Sequence, residues 1–455
     1  MRFYIDTRGC AKNTVDSEAL NSALRQAGHV PVDTPASADV MIVNTCGFID
    51  VAKRESVDRL TELGRLKRPG QRLIAAGCLS QRYSEEVARD LPAVDTLVGV
   101  DAWRTLPGLL DLDHSEPVPA IEPTPMGSLK KLPPSLPVLN QWPSLPRRRS
   151  GPSAYVKVSE GCNYGCTFCA IPIMKGLYRS KPLTRIVEEA RQLAGAGVKE
   201  LVLVSQDSTA YGMDLRNGTS LGELLETLAE RAPEIPWVRV LYLHPDRLTA
   251  KMIDRLAAVP NFCPYVDIPM QHAHPAVLKR MARGHLIERT EDLIARFRQQ
   301  IPGIAVRTTF IVGFPGESSE EFDFLVHWVE KMRFDRAGVF AYSPEENTPG
   351  ATMAQQIPER TRARRRQRLM TVQEAISSQL QASFVGQTIP VLIEAQTTAA
   401  RRGHSDGSEV SIGRSYRDAP EVDGVVVVRG RHAPGSMLRV RITGSTAHDL
   451  IGDVA

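Results

Sequence analysis

The chain has no apolar run approaching the roughly 18 residues that would span a bilayer, so no transmembrane helix is expected. It carries little net charge. Lys and Arg number 56 and Asp and Glu 52, leaving +4, too small a surplus to require nucleic acid as a partner. The stretch from Met1 to Cys10 lacks a signal-peptide pattern, because Asp6 and Arg8 break its apolar residues. Cysteine is sparse, with seven in 455 residues. These absences suggest a cytoplasmic protein in a reducing compartment. Clustered cysteines there bind metal or catalyse more often than they form disulfides. What is present is an ordinary globular composition, 42% hydrophobic and 24% charged. That suffices for buried cores and, at this length, for about three domains.

Residues 1–114 alternate short strands with helices, which reads as an open parallel α/β sheet. Arg2–Thr7, Val40–Val43, Leu73–Ala76 and Val94–Val98 are the strand candidates. Asn13 or Thr14 is placed to cap a helix with the stripe Val15, Ala19, Leu20, Ala23 and Leu24, and Gly28 to end it. Residues 115–152 hold ten of the chain's 32 prolines and read as a linker ending in Arg147, Arg148 and Arg149. Residues 153–384 return to strand–helix alternation, with six strand candidates that suggest a complete or partial TIM-like (βα) barrel. Pro358–Phe384 closes this region as one arginine-rich helix. It is either a solvated face or a contact for an RNA-rich particle. Residues 385–455 are β-rich and punctuated by glycine, a small antiparallel barrel of OB-like size. Its eight basic and eight acidic residues cancel.

Two cysteine constellations stand out. Cys162, Cys166 and Cys169 lie in Glu160-Gly161-Cys162-Asn163-Tyr164-Gly165-Cys166-Thr167-Phe168-Cys169, just after the first barrel strand. That spacing can turn three soft thiolates onto one iron–sulfur cluster while leaving one iron without a protein ligand. Zinc is the alternative, but a closed structural zinc site needs a fourth ligand, and none is local. Cys10, Cys46 and Cys78 are 36 and 32 residues apart, each follows a strand candidate, and each has a glycine neighbour in Gly9, Gly47 and Gly77. Parallel strands bring their carboxyl ends to one sheet edge, and glycine lets backbone approach a bulky ligand. A second open-iron cluster is therefore inferred there. Cys263 reads as an inert buried thiol. His272, His274 and His285 read as loop residues rather than ligands.

The C-x3-C-x2-C spacing, with Phe168 before the third cysteine, resembles the radical S-adenosylmethionine enzymes. Two open-iron trios, a barrel and a small β module together resemble the methylthiotransferases over nearly the whole chain, with the last module corresponding to a TRAM domain. Gly9-Cys10-Ala11-Lys12-Asn13-Thr14-Val15-Asp16-Ser17-Glu18, Asn44-Thr45-Cys46-Gly47-Phe48 and Ala76-Gly77-Cys78-Leu79 are similar to the family's three amino-terminal cysteine motifs, Arg8 being a departure. Tyr265-Val266-Asp267-Ile268-Pro269-Met270-Gln271-His272, Tyr342-Ser343-Pro344-Glu345-Glu346-Asn347-Thr348-Pro349 and Ala170-Ile171-Pro172-Ile173-Met174-Lys175-Gly176 resemble the RimO-type branch, which acts on a ribosomal protein, more than the tRNA branch.

The resemblance implies two 4Fe-4S clusters and two S-adenosylmethionine molecules per turnover. It implies an aspartate of the twelfth small-subunit ribosomal protein as target, in the ribosome or an assembly intermediate, with an electron donor and a sulfur donor as further partners. The cluster on Cys162, Cys166 and Cys169 would generate the 5′-deoxyadenosyl radical. That on Cys10, Cys46 and Cys78 would deliver sulfur. Gln206 and Asp207, after the second barrel strand, and Gly313 and Gly316, after the fifth, would contact the cofactor with Phe168; the plainer reading of each pair is a capped turn. A tRNA-modifying methylthiotransferase and a non-catalytic iron–sulfur RNA-binding protein are the rival readings.

Overall fold

The computed structural model describes residues 1–100, 102–110, 142, 145–147, 151–284, 287–398 and 409–455. Most of the expected proline-rich linker therefore lies outside the described residues, as do Arg148, Arg149 and His285.

The first part contains β1 (Arg2–Thr7), α1 (Ala11–Gln26), β2 (Val30–Pro31), β3 (Val40–Thr45), α2 (Asp50–Leu66), β4 (Arg72–Gly77), α3 (Cys78–Arg82), α4 (Ser84–Asp90), β5 (Thr96–Val98) and α5 (Leu106–Leu110). Its strands pair in parallel in the order β2-β1-β3-β4-β5. The buried run of β3, Val40 to Thr45, is what a strand covered on both faces requires. Phe3, Leu20, Leu24, Ile42 and Ile74 pack on one side of the sheet, and Met41, Val43, Leu60, Leu63 and Leu73 on the other. The cap expected at Asn13 or Thr14 is corrected. The helix begins one turn earlier, with Cys10 at its N-cap. The Asn13 amide nitrogen instead donates to the Arg8 carbonyl at 2.7 Å and the Thr45 carbonyl at 3.1 Å, two acceptors at the strand ends, where a cap would use its oxygen to accept from helix N–H groups. Gly28 ends the helix region with φ +85°.

The second part runs β6 (Ser153–Lys157), β7 (Ser159–Glu160), α6 (Ile171–Lys175), β8 (Arg179–Ser180), α7 (Leu183–Gly195), β9 (Glu200–Val204), α8 (Leu221–Arg231), β10 (Trp237–Val240), α9 (Ala250–Ala258), β11 (Phe262–Asp267), α10 (Pro275–Arg280), α11 (Ile287–Gln300), β12 (Ala305–Val312), α12 (Ser319–Met332), β13 (Arg336–Ala341), α13 (Pro349–Thr352) and α14 (Glu359–Ala382). Six parallel strands in the order β13-β12-β11-β10-β9-β6 form an open, partial barrel. Helix α14 keeps Arg360, Arg364, Arg366 and Arg368 exposed, as a solvated face would, while several of its arginines also bond the barrel. Arg365 donates to Glu317 at 2.9 Å, Arg366 to the Val339 carbonyl at 3.0 Å, Arg362 to the Tyr342 carbonyl, and Arg368 pairs with Asp323. Two of these bonds end on β13 or the residue after it, so the helix covers the edge strand that an open barrel leaves unpaired.

The third part is a closed five-stranded barrel of β14 (Thr388–Thr398), β15 (Glu409–Ser415), β16 (Val426–Arg429), β17 (Met437–Ser445) and β18 (Leu450–Val454). Its neighbours are antiparallel except β16 with β18. It docks on the second part largely through residues at the start of the barrel strands. Arg239 and Arg414 both bond Glu200, Arg336 pairs with Asp418, Arg417 with Asp335 at 2.7 Å, and Tyr265 donates to Asp423 at 2.6 Å. Pairs this buried contribute little net stability, but removing one partner would strand the other charge. No helix among the described residues is long and apolar enough to cross a membrane.

Candidate functional site

The carboxyl ends of β6 and β9 meet the amino-terminal part of the chain. The Lys12 ammonium, on the first turn of α1, donates to the Ser205 carbonyl at 3.2 Å and lies 3.9 Å from the centre of the Tyr242 ring. Asp16, one turn on, accepts from Lys157 at the end of β6 at 2.5 Å. The first sheet thus sits over the mouth of the barrel.

Cys162, Cys166 and Cys169 occupy the loop between β7 and α6. Gly161 has φ +77°, and a Cβ there would overlap the Leu177 carbonyl. The loop is tied on three sides. The Cys162 amide donates to the Gly176 carbonyl at 3.1 Å. The Thr167 amide and hydroxyl donate to the Met281 and Arg280 carbonyls at 3.1 and 2.8 Å. The Gly350 amide donates to the Thr167 carbonyl at 2.7 Å. Cys166 is buried and the other two half-buried. Burial, with the neighbouring thiols, pushes Cys169 up to about 12, and burial also raises Cys162. Soft thiols held together at such cost in protonation suit a group that replaces protons with metal charge.

Cys10, Cys46 and Cys78 follow β1, β3 and β4, which are adjacent in the sheet. Gly9 has φ +98°, and a Cβ there would stand 2.8 Å from the Cys46 Cβ and 3.1 Å from its Sγ. A Cβ on Gly47 would stand 2.9 Å from the Cys78 carbonyl. The backbones are packed as closely as only glycine permits. Cys78 packs on Ala170 and Met174, so this trio lies against the helix that directly follows Cys169. Its protonation is uneven. Burial and the Cys78 charge push Cys46 up to about 12, and burial raises Cys78. Cys10 is exposed; the protein atoms crowded about its sulfur still push upward, but Lys12, Lys175 and the backbone amides of Asn13 and Lys12 prevail and leave its thiol below the usual value.

A buried charge network adjoins both trios: Lys175 acts on Cys10 and Cys78, and Glu160 lies two residues before Cys162. Lys157 lies 2.6 Å from Glu160, and Lys175 lies 3.5 Å from Glu160 and 3.8 Å from Asp16. Burial alone would raise the Glu160 carboxyl. Lys157 and Lys175 overcome that and hold it well below the usual carboxylate range. The signal for this network was absent from the sequence, because lysines and acids at these spacings look like ordinary solvated residues. The same holds for the Tyr164 ring stacked on His244 at 3.7 Å and for Arg283 behind it.

The other expected residues are placed as follows. Phe168 packs with Val277, Met281, Phe314, Tyr342 and Ile311. Gln206 donates to Glu160 at 3.1 Å, and its buried Oε1 has no partner among the described residues, leaving an acceptor for an incoming donor. Asp207 accepts from the Thr209 amide at 3.0 Å and from Arg247 at 3.1 Å. Gly313 and Gly316 have φ of +74° and +73°. The Gly313 amide donates to Glu317 at 2.6 Å and Arg362 fills the place of its side chain, while Gly316 faces Gln355. Cys263 is buried, its Sγ 3.5 Å from the Tyr416 carbonyl and apart from both trios. His272 is buried, and burial lowers it to about 3; His274 lies 3.6 Å from Glu321. Among the described residues, no three His, Cys, Asp or Glu side chains converge on the position of a single ion. An iron–sulfur cluster brings several irons and sulfides between its thiolates, so the trios need not close on one point.

Comparison with known proteins agrees with this layout. Residues 156–329 match the radical SAM superfamily, residues 2–99 an uncharacterised protein family, UPF0004, and residues 385–455 the TRAM domain. The chain is 44% identical over 464 residues to the ribosomal protein uS12 methylthiotransferase RimO of Roseiflexus sp. (strain RS-1), covering 100% of this chain and 97% of that one. It is 42% identical to the protein of the same name from Chloroflexus aurantiacus, covering 100% and 99%. A solved radical S-adenosylmethionine methyltransferase, TsrM from Kitasatospora setae with cobalamin and a [4Fe-4S] cluster bound, shares the fold at TM-score 0.56 and 17% identity, covering 77% of this chain and 76% of that one.

Proposed function

Because the chain belongs to the RimO family of ribosomal protein uS12 methylthiotransferases, a family of radical SAM enzymes that use S-adenosylmethionine and 4Fe-4S clusters, we propose that it adds a methylthio group to the β-carbon of an aspartate of uS12. Cys162, Cys166 and Cys169 would hold one cluster and Cys10, Cys46 and Cys78 the other. Phe168, Gln206, Asp207, Gly313 and Gly316 would line the S-adenosylmethionine site. In this division residues 1–114 carry the sulfur-delivering domain, 115–152 the linker, 153–384 the radical SAM barrel and 385–455 the TRAM domain. When bound, these groups supply one-electron chemistry able to open an unactivated C–H bond, a sulfur atom to place on that carbon, and a methyl group.

In this reading the amino-terminal trio lies beside the helix that follows the barrel trio. The observation that carries the reading is Cys78 packed on Ala170 and Met174, one helix from Cys169. The Asp16–Lys157–Glu160–Lys175 network joins the first sheet to the barrel and places charge beside both trios. Gln206 presents its free carbonyl to a donor. The electron and the sulfur come from outside donors, and work on a ribosomal protein places the enzyme in the cytoplasm. The arginine-rich helix would suit RNA, but Arg362, Arg365 and Arg366 are engaged by the barrel, which weakens its support for a tRNA substrate.

The test incubates anaerobically reconstituted protein with S-adenosylmethionine labelled in its methyl group, and with uS12 or tRNA. Label on uS12, with a mass gain at one aspartate, is expected. Label on tRNA and none on uS12 would reverse the assignment.

A further inference from the structure

Arg283 is 8% exposed and lies just beyond α10. Its guanidinium makes three contacts. Nη2 donates to the Pro269 carbonyl at 2.8 Å. Nη1 stands 2.5 Å from His244 Nε2 and 3.6 Å from Cys166 Sγ, within reach of a hydrogen bond to sulfur. A guanidinium only donates, so the imidazole nitrogen accepts. No carboxylate is among its hydrogen-bond or ion-pair partners within the described residues. A buried cation without a counter-charge is costly. Of the groups it bonds, Cys166 is the one able to supply negative charge, and the Asp246 carboxylate stands beyond the imidazole, 3.9 Å from His244 Nδ1.

The surroundings hold that guanidinium in place. His244 is clamped against Tyr164, a residue of the cysteine loop itself, with ring centres 3.7 Å apart and planes 3° from parallel. The segment carrying Arg283 also accepts both Thr167 bonds, through the Arg280 and Met281 carbonyls. The cation and the loop therefore move as one unit.

We propose that Arg283 is a positioning residue for the barrel cluster: anchored by His244 and the Pro269 carbonyl, it donates a charge-assisted hydrogen bond to Cys166 Sγ and raises the reduction potential of the cluster held there. The inference rests on the reading that Cys166 is a cluster ligand. Hydrogen bonds to the sulfurs and net local charge both set the potential of such a cluster. A permanent cation in a dry site stabilises the more negative, reduced state.

The test uses the full chain with Cys10, Cys46 and Cys78 all replaced by Ala, so that any remaining cluster is the barrel's. Midpoint potential and iron content are measured after anaerobic reconstitution. Arg283→Met should keep its iron and shift the midpoint to more negative potential. Arg283→Lys should recover part of the shift, and His244→Ala should give a smaller shift of the same sign. An unchanged midpoint in Arg283→Met with iron intact would overturn the proposal, leaving Arg283 a structural clamp. If Arg283→Met fails to hold iron, Arg283→Lys and His244→Ala decide by the same criterion. A parent protein without iron would overturn the ligand assignment and this proposal with it, and it would show before any Arg283 variant is made.

Discussion

The two cysteine trios reach similar surroundings by opposite routes. Cys162, Cys166 and Cys169 lie within eight residues of one loop. Their geometry is set by local turns and by bonds from Thr167 and Gly350. Cys10, Cys46 and Cys78 are gathered only because β1, β3 and β4 are adjacent and parallel. Their electrostatics differ as well. A guanidinium faces Cys166, whereas the lysines Lys12 and Lys175 face Cys10. A site made by one loop can survive distortion of the fold around it. A site made by topology is only as sound as the sheet that aligns it.

The largest test of this contrast removes each trio in turn. Replacing Cys162, Cys166 and Cys169 by Ala should abolish 5′-deoxyadenosine formation altogether, and persistence of that product would refute the barrel assignment. Replacing Cys10, Cys46 and Cys78 should leave 5′-deoxyadenosine formation in place while methylthio transfer to uS12 falls below detection. In both cases the protein should hold about four irons instead of about eight, measured with sulfide after reconstitution. Transfer surviving loss of the amino-terminal trio would mean that sulfur comes from elsewhere.

The same contrast explains what could be read from the sequence. The barrel loop is a contiguous motif, so it needed no fold to be recognised. The second trio needed one step more: three strand candidates, each followed by a cysteine with a glycine neighbour, and the rule that parallel strands end at one edge. The strand part of that step was legible because β3 and β4 are buried apolar runs that have little choice but to be interior strands. The network of Asp16, Lys157, Glu160 and Lys175 was not legible, because its members come from two domains and a buried lysine looks no different in sequence from a solvated one. Arg283 was hidden for the same reason, lying 117 residues from its sulfur partner. The arginines of α14 were legible as a solvated stripe, since Arg360, Arg364, Arg366 and Arg368 are exposed, but not that the carbonyls of Val339 in β13 and of Tyr342 just after it take two of them. In the third part the β-rich stretches legible in the sequence were Val391–Glu394, Val425–Arg429 and Met437–Ile442; β15 and β18 were not, because glycine and polar residues interrupt them.

A finer test compares glycines. Gly9→Ala places a Cβ at φ +98° and 2.8 Å from the Cys46 Cβ, a strain of about 1–3 kcal/mol. Gly165, inside the barrel loop, meets nothing within 4 Å, and Gly165→Ala should stay within about 0.5 kcal/mol of the parent. Gly9→Ala should lower the denaturation midpoint and deplete iron from the amino-terminal trio, read in the Cys162, Cys166 and Cys169 triple-Ala background. Gly165→Ala should keep full iron in the complementary background. Equal tolerance at both glycines would show that the sheet-built trio is no more demanding than the loop.

The smallest expected effect isolates alignment from ligation. Asn13 touches neither metal nor substrate in the proposed site. Its amide bonds the Arg8 and Thr45 carbonyls, one at the end of each strand that precedes Cys10 and Cys46, and its own carbonyl accepts from Asn44 at 2.9 Å. Asn13→Ala leaves those two carbonyls, one buried and one part-buried, without that donor, a loss of about 1 kcal/mol. The strand ends can then drift apart while the rest of the sheet holds. Iron in the amino-terminal trio should exchange faster with an external chelator, by several-fold, while 5′-deoxyadenosine formation at the barrel stays at the parent rate. A variant equally slow to lose iron would mean that the backbone pairing of β1 with β3 aligns the trio by itself. Slowed 5′-deoxyadenosine formation would mean that Lys12, on the same turn of helix, carries strain across to Ser205 and couples the two sites more tightly than their separate construction implies.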